Sequence, residues 1–247
     1  MYNPYSLEGK TVLVTGASSG IGRATAIECS KLGAKVVITA RHEERLKETL
    51  SALEGDGHQL ILCEVTSDDD LTNLVETVPV LDGLVCNAGI NKLVPIRQLK
   101  AEDLNHIFEV NTFSSIILLQ KLMKKKKLAE DASVVYTSSI SGIGAAAVGE
   151  SMYIASKGAL SAFVKAAALE CSKKGIRVNA VCPGMVKTEM SDAYDLNEGD
   201  NEDLKNYPLG RYANPVDIAW AIIYLLSNAS SWVTGTNLVI DGGLTTR

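Results

Sequence analysis

The sequence predicts an α/β protein with a doubly wound parallel sheet. Seven short runs rich in apolar and β-branched residues recur along the chain, and segments of helical periodicity separate them. The runs are nearly continuous in apolar residues, which is typical of strands buried on both faces. Strands that alternate with helices indicate a parallel sheet covered by helices on both sides.

The alternation continues without an internal repeat or a linker, so we predict a single domain over residues 1–247. One polar, acidic segment at 192–212 departs from it. With the residues from 188 onward, we interpret 188–212 as a candidate substrate lid. The predicted strands are TVLVT (11–15), VVIT (36–39), LILCEV (60–65), GLVC (83–86), SVVYTS (133–138), RVNAVC (177–182) and NLVI (237–240).

Charge and hydropathy narrow the function classes. The net charge of -5 argues against a broad nucleic-acid-binding surface. The longest apolar run, at 219–226, is too short to span a bilayer, and the N-terminus carries no basic segment followed by an apolar run. We therefore expect no membrane association and a cytoplasmic protein.

The five cysteines show no CxxC spacing, and the three histidines are not placed at metal-ligand intervals from them. We expect no disulfide framework, no metal site and a reducing compartment. The residues are Cys29, Cys63, Cys86, Cys171, Cys182, His42, His58 and His106.

A glycine-rich turn, GASSGIG, directly follows the first predicted strand and precedes a helical segment. Gly16 can permit a sharp turn, Gly20 can let a pyrophosphate approach the backbone, and Gly22 can allow close packing of helix on strand. The helix N-terminus supplies free N–H groups and the positive end of a dipole. The spacing is GxxxGxG rather than the commoner GxGxxG, and a plain tight turn is the alternative. In this strand-turn-helix context the pattern predicts a dinucleotide-binding Rossmann fold.

A second pattern concerns Tyr153 and Lys157, which stand four residues apart in SMYIASKGAL. In a helix this spacing puts a phenol and an ammonium group on one face. Two side chains that lie along a helix surface would give the same spacing, so the pair alone does not establish a catalytic site.

Several short motifs then fall in one order along the chain, and with them the sequence resembles the short-chain dehydrogenase/reductase family from about Leu7 to Gly243. Within that family it is most similar to 3-oxoacyl-[acyl-carrier-protein] reductases, including the segment at 208–227. The motifs are TGASSGIG (15–22), NAG (87–89), Asn111 in EVNTF, SSISG (138–142), Tyr153 with Lys157, PG (183–184) and TGTNLVIDGG (234–243).

The resemblance implies an oxidoreductase that transfers a hydride between a nicotinamide and a carbonyl or secondary alcohol. It implies that Tyr153 is the general acid and base and that Lys157 also contacts the nicotinamide ribose. Ser139 would position the substrate oxygen, and Asn111 would support a water path to the lysine. A catalytically silent dinucleotide-binding sensor or scaffold is the alternative of a different class, although such members usually lose the tyrosine or the lysine.

The chemistry of the pair supports the catalytic interpretation. Ionising a phenol of pKa about 10 at pH 7 costs about 4 kcal/mol. An ammonium group about 4 Å away contributes a similar free energy at an effective dielectric constant near 20. We therefore expect Lys157 to lower the pKa of Tyr153 into a range useful for acid–base catalysis.

Three serines compete for the substrate-positioning role, because Ser138, Ser139 and Ser141 lie close together at the end of a strand. We choose Ser139, which precedes Gly142 as in the SxxG pattern of the family. Either of the other two would then be a turn residue.

The resemblance also implies a set of cofactor contacts. Glu64 stands where the family usually has an aspartate that meets the adenine, so either the longer carboxylate or the backbone of Val65 makes that contact. The implied contacts are Gly16, Ser18, Ser19, Gly20, Ile21, Gly22, Glu64, Val65, Asn87, Ala88, Gly89, Tyr153, Lys157, Pro183, Gly184, Val186 and Thr188.

Arg41 bears on the choice between the two nicotinamide dinucleotides. A fold that prefers NAD usually ends its second strand with an acid for the ribose hydroxyls. Here the strand ends at Ala40 and Arg41 follows, a guanidinium that can bind a 2′-phosphate in a forked geometry. We predict a preference for NADP(H) with NAD(H) possible. A surface arginine that opens the next helix is the alternative.

The substrate and the assembly rest mainly on the resemblance, which implies reduction of a 3-oxoacyl thioester. A sugar, a steroid or a small secondary alcohol is the second candidate. Lysines near two predicted helix ends either dock an acidic acyl carrier or only favour the helix dipole and solubility. Helices near 101–127 and 152–174 would form the contacts of a homotetramer. The lysines are Lys121, Lys124, Lys125, Lys126, Lys127, Lys173 and Lys174.

Overall fold

The computed structural model describes residues 2–194 and 202–246. Within these residues, seven strands form one sheet in which every neighbouring pair is parallel. The strands are β1 (Thr11–Thr15), β2 (Lys35–Ala40), β3 (Gln59–Leu62), β4 (Leu81–Cys86), β5 (Leu128–Thr137), β6 (Arg177–Pro183) and β7 (Asn237–Ile240). The predicted doubly wound α/β fold is confirmed.

Helices cover both faces of this sheet. The helices α1, α2 and α7 contribute to the core on one face, and α3, α5 and α6 to the core on the other. A π-helical segment, Glu109–Phe113, joins α4 to α5. The helices are α1 (Gly20–Lys31), α2 (Glu43–Ser51), α3 (Asp68–Thr77), α4 (Ala101–Phe108), α5 (Ser114–Lys124), α6 (Ser151–Cys171) and α7 (Pro215–Leu226).

The strand order is β3-β2-β1-β4-β5-β6-β7, so the direction of winding reverses between β1 and β4. Ligands of open α/β sheets bind beyond the carboxyl ends of the strands at such a reversal. The pairing of Val14 with Val85 sets the two strands level with each other. It therefore brings the turn after β1 beside the residues that follow β4.

Two predicted strand boundaries differ from the structure by three residues or more. The third strand ends at Leu62 rather than at residue 65, because the amide of Glu64 donates to the Asp70 carboxylate, at 2.8 Å, instead of to the sheet. The fifth strand begins at Leu128, five residues early, and carries an irregularity before Ser133.

Part of the candidate lid lies outside the described residues, namely 195–201. On either side of that gap, Glu189–Tyr194 and Glu202–Asn206 form short 3₁₀ helices. Among the helices that are described, none is both long and apolar enough to cross a membrane.

We expect Leu84→Ala to destabilise the protein by about 2–5 kcal/mol, because Leu84 is fully buried in the central strand and its truncation leaves a cavity. Val80→Ala is the matched control, since Val80 is 54% exposed just before the same strand. Denaturant unfolding followed by circular dichroism measures both. Equal losses for the two variants would contradict this description of the core.

Candidate active site

The glycine turn after β1 packs directly against the residues that follow β4. Gly16 has a φ of +64°, which favours glycine. A Cβ there would lie 2.8 Å from the Cα of Ala88, and a Cβ at Gly22 would overlap the carbonyl oxygen of Gly16. The turn therefore requires both glycines, as the sequence predicted.

The N-terminus of α1 borders a small concave space, here called the cradle, which a side chain at position 20 would fill. Gly20 has a φ of +53°, and a Cβ on it would lie 3.1 Å from Cγ2 of Thr188. Ser19 caps the helix without a side-chain hydrogen bond to it, and no acidic residue lies in the first turn. Ser18 and Ile21 flank these two residues and are partly buried. The backbone amides and the helix dipole here favour an anion such as a pyrophosphate.

The NAG motif at 87–89 holds the glycine turn after β1 in place through hydrogen bonds. Nδ2 of Asn87 donates to the carbonyl oxygens of Thr15 and Gly16, both at 3.3 Å. The Thr15 hydroxyl accepts from the amides of Asn87, at 2.9 Å, and Ala88, at 3.2 Å. Asn87 and Ala88 therefore fix the shape of the cradle.

Lys157 is buried, 3% exposed, and its Nζ donates to the carbonyl oxygen of Thr137 at 2.7 Å. Gly89 packs close to it, since a Cβ at that position would lie 3.3 Å from Oδ1 of Asn111 and 3.4 Å from Nζ of Lys157. Gly142 brings the backbone of the β5 end close to α6, since a Cβ there would lie 2.7 Å from the carbonyl carbon of Lys157. Burial lowers the pKa of Lys157 to about 8.

Asn111 lies in the π-helical segment and is 1% exposed. Its Nδ2 donates to the carbonyl oxygen of Ile90, at 2.9 Å, and to Oγ of Ser156, at 3.0 Å. Its Oδ1 accepts from the amide of Ile90 at 2.8 Å. The side chain thus joins the loop after β4 to α6. π-Helical turns are frequent at functional sites.

The structure separates the three serines after β5. Ser139 is 7% exposed and its side chain hydrogen-bonds the phenol of Tyr153. The Ser138 hydroxyl donates to a backbone carbonyl of α6 at 3.0 Å. The Ser141 hydroxyl donates to the Glu150 carboxylate at 3.4 Å. Of the three, Ser139 is the one placed beside the phenol.

The expectation that Lys157 lowers the pKa of Tyr153 is wrong for this structure. The pKa of Tyr153 is raised to about 12, chiefly by the loss of water around the phenol; the hydrogen bond from Ser139 lowers it, and the negative charge of Glu150 makes a smaller contribution that raises it. Nζ of Lys157 lies 5.8 Å from the centre of the tyrosine ring and points to the Thr137 carbonyl instead of the phenol. Desolvation therefore outweighs the charge of the lysine.

Glu150 is a site residue that the sequence analysis missed. It is 7% exposed, precedes α6 by one residue and stands three residues before Tyr153. Its carboxylate accepts from Nδ2 of Asn91 at 3.5 Å and from Ser141. The sequence does carry a signal for it, namely a carboxylate three residues before the tyrosine. Thr137 gave no such signal, because it acts through its backbone carbonyl.

Arg41 and Glu64 lie at the carboxyl ends of β2 and β3 and face each other. Nη1 of Arg41 lies 3.7 Å from Oε2 of Glu64, and both side chains are exposed to solvent. Nε of Arg41 also donates to His42 at 3.3 Å. Val65 is partly buried against the core. The sequence placed both charges at this edge but did not predict that they pair.

The residues after β6 also lie at the carboxyl end of the sheet. Pro183 ends the strand, and the amide of Gly184 donates to the carbonyl oxygen of Ile240 at 3.0 Å. Val186 is 6% exposed, and Thr188 closes over Gly20 as described above. The site residues predicted from the sequence thus lie at the carboxyl ends of the strands.

The predicted lysine cluster lies at the opposite end of the strands, near the amino ends of β5 and β6. Lys124 ends α5, and Lys173 and Lys174 follow α6, so these residues precede β5 and β6. Lys121 pairs with Asp68 at 2.9 Å, and Lys125 pairs with Glu76 at 3.3 Å. The cluster is therefore remote from Tyr153 and partly neutralised by α3.

Comparison with known proteins decides the family. A family model described as enoyl-(acyl carrier protein) reductase matches residues 16–245. A 3-oxoacyl-[acyl-carrier-protein] reductase of Rickettsia prowazekii is 39% identical over 239 residues, which cover 96% of this chain and 98% of the relative. The chain belongs to the short-chain dehydrogenase/reductase family. As a member, it is an oxidoreductase that acts on CH–OH and C=O groups with a nicotinamide dinucleotide.

Solved structures agree with this family. A short-chain type dehydrogenase/reductase from Mycobacterium marinum superimposes with a TM-score of 0.91 at 31% identity, covering 99% of this chain and 98% of the other. A gluconate 5-dehydrogenase from Burkholderia cenocepacia, solved with NADP and tartrate, gives a TM-score of 0.89 at 26% identity, covering 99% and 98%.

The residues of this dehydrogenase/reductase fit a dinucleotide. The cradle at Gly20 is a space that any Cβ would fill, and it lies at a helix N-terminus with free amides. Lys157 and Tyr153 lie past the NAG motif, farther along the same edge of the sheet. The arrangement therefore joins an anion-binding end to an end that holds the buried Lys157 and the partly buried Tyr153.

We expect Glu150→Gln to lower the pKa of Tyr153, because it removes a negative charge that disfavours the tyrosinate. NMR titration of protein labelled at tyrosine Cζ measures this, with Tyr153→Phe to assign the signal. Glu44→Gln is the control, since Glu44 is exposed on α2. An unchanged or higher pKa in Glu150→Gln would contradict the proposed electrostatics.

Proposed function

We propose that this enzyme uses NADP(H) to reduce a 3-oxoacyl thioester to the 3-hydroxyacyl form. The observation that supports protonation of a carbonyl oxygen is the phenol of Tyr153, which lies beside Ser139. A phenol holds its proton at neutral pH even at its ordinary pKa of about 10, and desolvation raises the pKa of Tyr153 to about 12, so the group can donate a proton to a carbonyl oxygen. The thioester is supported by the 39% identity to a 3-oxoacyl-[acyl-carrier-protein] reductase over nearly the whole of both chains.

Four residues have separate roles in the proposed reaction. Tyr153 donates the proton, and Ser139, which hydrogen-bonds the phenol, positions the substrate oxygen beside it. Lys157 holds a positive charge under the site at neutral pH and binds the ribose. Asn111 keeps α6 aligned with the loop after β4. The nicotinamide supplies the hydride when bound.

We expect Tyr153→Phe to lower kcat for thioester reduction by about 10²- to 10⁴-fold, because it removes the proton donor and keeps the ring. NADPH binding, followed by fluorescence titration, should stay within a few-fold of the parent protein. Tyr224→Phe is the control, since Tyr224 lies on α7. Retention of most of the activity by Tyr153→Phe would refute the assignment.

The preference for NADP(H) rests on Arg41. It is exposed just after β2, and Nη1 of its guanidinium lies 3.7 Å from the solvent-exposed carboxylate of Glu64. Such an ion pair is worth little, so a 2′-phosphate can displace it and take a forked contact from the guanidinium.

We expect Arg41→Asp to reverse the ratio of kcat/KM for NADPH over NADH, by about tenfold or more, since it removes the phosphate ligand and adds a carboxylate for the ribose hydroxyls. Steady-state kinetics with both cofactors measure the ratio. Arg45→Asp, one helical turn away, is the control for charge alone. Equal use of NADH and NADPH by the parent enzyme would refute the preference.

A sugar or related polyol is the second candidate substrate. The similarity to a gluconate 5-dehydrogenase favours it, and so does the Glu150 carboxylate, whose charge acts on Tyr153 and which accepts from Asn91. A panel of acetoacetyl thioesters and keto-sugars, followed by nicotinamide absorbance, distinguishes the two. A kcat/KM higher for the keto-sugars would favour this candidate over the thioester.

We also propose a homotetramer. The stripe on α6 formed by Leu160, Val164 and Ala167 packs in the chain's own core, so it does not form the contact. Exposed apolar residues are present nearby, with Phe113 52%, Ile117 40% and Leu169 77% exposed. Such side chains favour burial between subunits.

We expect light scattering at micromolar concentration to give the mass of a tetramer, and Ile117→Asp to shift it to smaller species. Ile117 lies on α5, where a charge would be buried by the partner at a cost of several kcal/mol. Leu62→Asp is the control, since Leu62 is 43% exposed on β3, the edge strand on the side of the sheet formed by β1 and β2. A stable monomer in the parent protein would contradict the assembly.

A further inference from the structure

A buried polar cluster lies behind Ser139 and takes no part in the reaction proposed above. It consists of Ser138 at the end of β5, Ser161 on α6 and Cys182 on β6, which are 2%, 3% and 0% exposed. The hydroxyl oxygens of Ser138 and Ser161 lie 2.7 Å apart. The thiol of Cys182 hydrogen-bonds both hydroxyls, and its sulfur accepts from the backbone amide of Ser139. The cluster therefore reaches the serine that faces the phenol.

The alternation of side chains along the strands brings the cluster together. Ser138 follows Tyr136 by two residues, so its side chain points to the face of the sheet that α6 covers. Cys182 stands in the same relation to Ala180 on the neighbouring strand. Both side chains therefore meet Ser161, which α6 presents to that face.

The hydrogen-bond ladder between β5 and β6 ends at this point. The amide of Ser138 donates to the carbonyl oxygen of Val181 at 2.8 Å. In a parallel ladder the next amide of β6 to donate to β5 would be that of Pro183, and proline has no N–H. A buried amide still needs an acceptor. The sulfur of Cys182 supplies one to Ser139, so a side chain continues what the ladder cannot.

We propose that Cys182 is a positioning residue, whose sulfur holds the backbone of Ser139 so that the Ser139 hydroxyl faces the phenol of Tyr153. The proposal rests on the role of Ser139 in the proposed function. Oγ of Ser139 also accepts from the amide of Ser141, at 3.1 Å, and hydrogen-bonds the phenol. These contacts hold the side chain only as well as its own backbone is held. Release of the Ser139 amide would therefore move the hydroxyl away from the phenol.

The thiol acts through hydrogen bonds rather than through charge. Burial raises the pKa of Cys182, so the thiol is neutral at pH 7. Cys86 offers a matched control, since it is 3% exposed on β4, on the other side of β5, and burial raises its pKa as well. The charge of Lys157 acts on both thiols. The Cys86 thiol hydrogen-bonds Tyr136, however, and not the Ser139 amide.

The kinetic test removes each thiol in turn. We expect Cys182→Ala to lower kcat for acetoacetyl-N-acetylcysteamine by about tenfold or more, because a misplacement of about 1 Å can cost about 100-fold in rate. KM for NADPH should stay within a few-fold. Cys182→Ser keeps an acceptor for the amide and should restore most of kcat, and Cys86→Ala should leave kcat unchanged. No loss in Cys182→Ala, or an equal loss in Cys86→Ala, would overturn the proposal.

A double-mutant cycle shows whether Cys182 acts through Ser139. Residues that act through one another give effects that do not add. We therefore expect Cys182→Ala to change kcat little when Ser139→Ala is already present. The same tenfold loss in that background would mean that the thiol acts independently of the serine, and it would overturn the proposal.

The NMR signal of tyrosine Cζ at neutral pH gives a readout that does not depend on turnover, because it responds to hydrogen bonding at the phenol. With Tyr153→Phe to assign the signal, Cys182→Ala should shift it in the same direction as Ser139→Ala does. Cys86→Ala should leave it in place. An unshifted signal in Cys182→Ala overturns the proposal, even when the thioester is reduced. If the parent enzyme reduces no thioester, the proposed function fails, and the signal still decides whether Cys182 holds Ser139.

Discussion

The site depends on one buried contact, the hydrogen bond from Nζ of Lys157 to the carbonyl oxygen of Thr137 at 2.7 Å. It fixes α6 against the carboxyl end of the central strands and places a charge where little water remains. A pKa of about 8 in place of 10.5 means that the ammonium form costs the fold roughly 3 kcal/mol at neutral pH. Because the folded-state pKa is the lower one, stability contributed by this group rises as the pH rises from about 8 to 10.5. Asn111 joins the loop after β4 to α6 beside this lysine, and Gly89 has no side chain that would crowd the two.

The same burial acts in opposite directions on the two groups of the pair. It favours the neutral amine of Lys157 and the neutral phenol of Tyr153, so their pKa values move apart, to about 8 and about 12. Environments that separate the pKa values of neighbouring groups are a recurrent way to assign proton donors and acceptors. A charged lysine near a protonated phenol is an arrangement in which the phenol can donate its proton to a carbonyl oxygen.

The fold could be predicted nearly completely from the sequence, because apolar runs that alternate with helices leave few other architectures for a chain of this length. The positions of the glycines, Tyr153 and Lys157 were equally readable, since each needs a particular side chain or none. The sign of the Tyr153 pKa shift was wrong, because the spacing of two residues gives their proximity but not the water that each loses. Thr137 could not be predicted, since it acts through its backbone, and neither could the π-helical turn that aims Asn111. Contacts between distant segments, such as Arg41 with Glu64, appear only when the chain is folded.

The most direct test of this account is the protonation of Lys157 itself. NMR titration of protein labelled with ¹³C at lysine Cε, with Lys157→Met to assign the signal, measures its pKa separately from the exposed lysines. The account predicts one lysine that titrates near pH 8, before the other lysines. A Lys157 signal that titrates at or above 10.5, together with the exposed lysines, would contradict it.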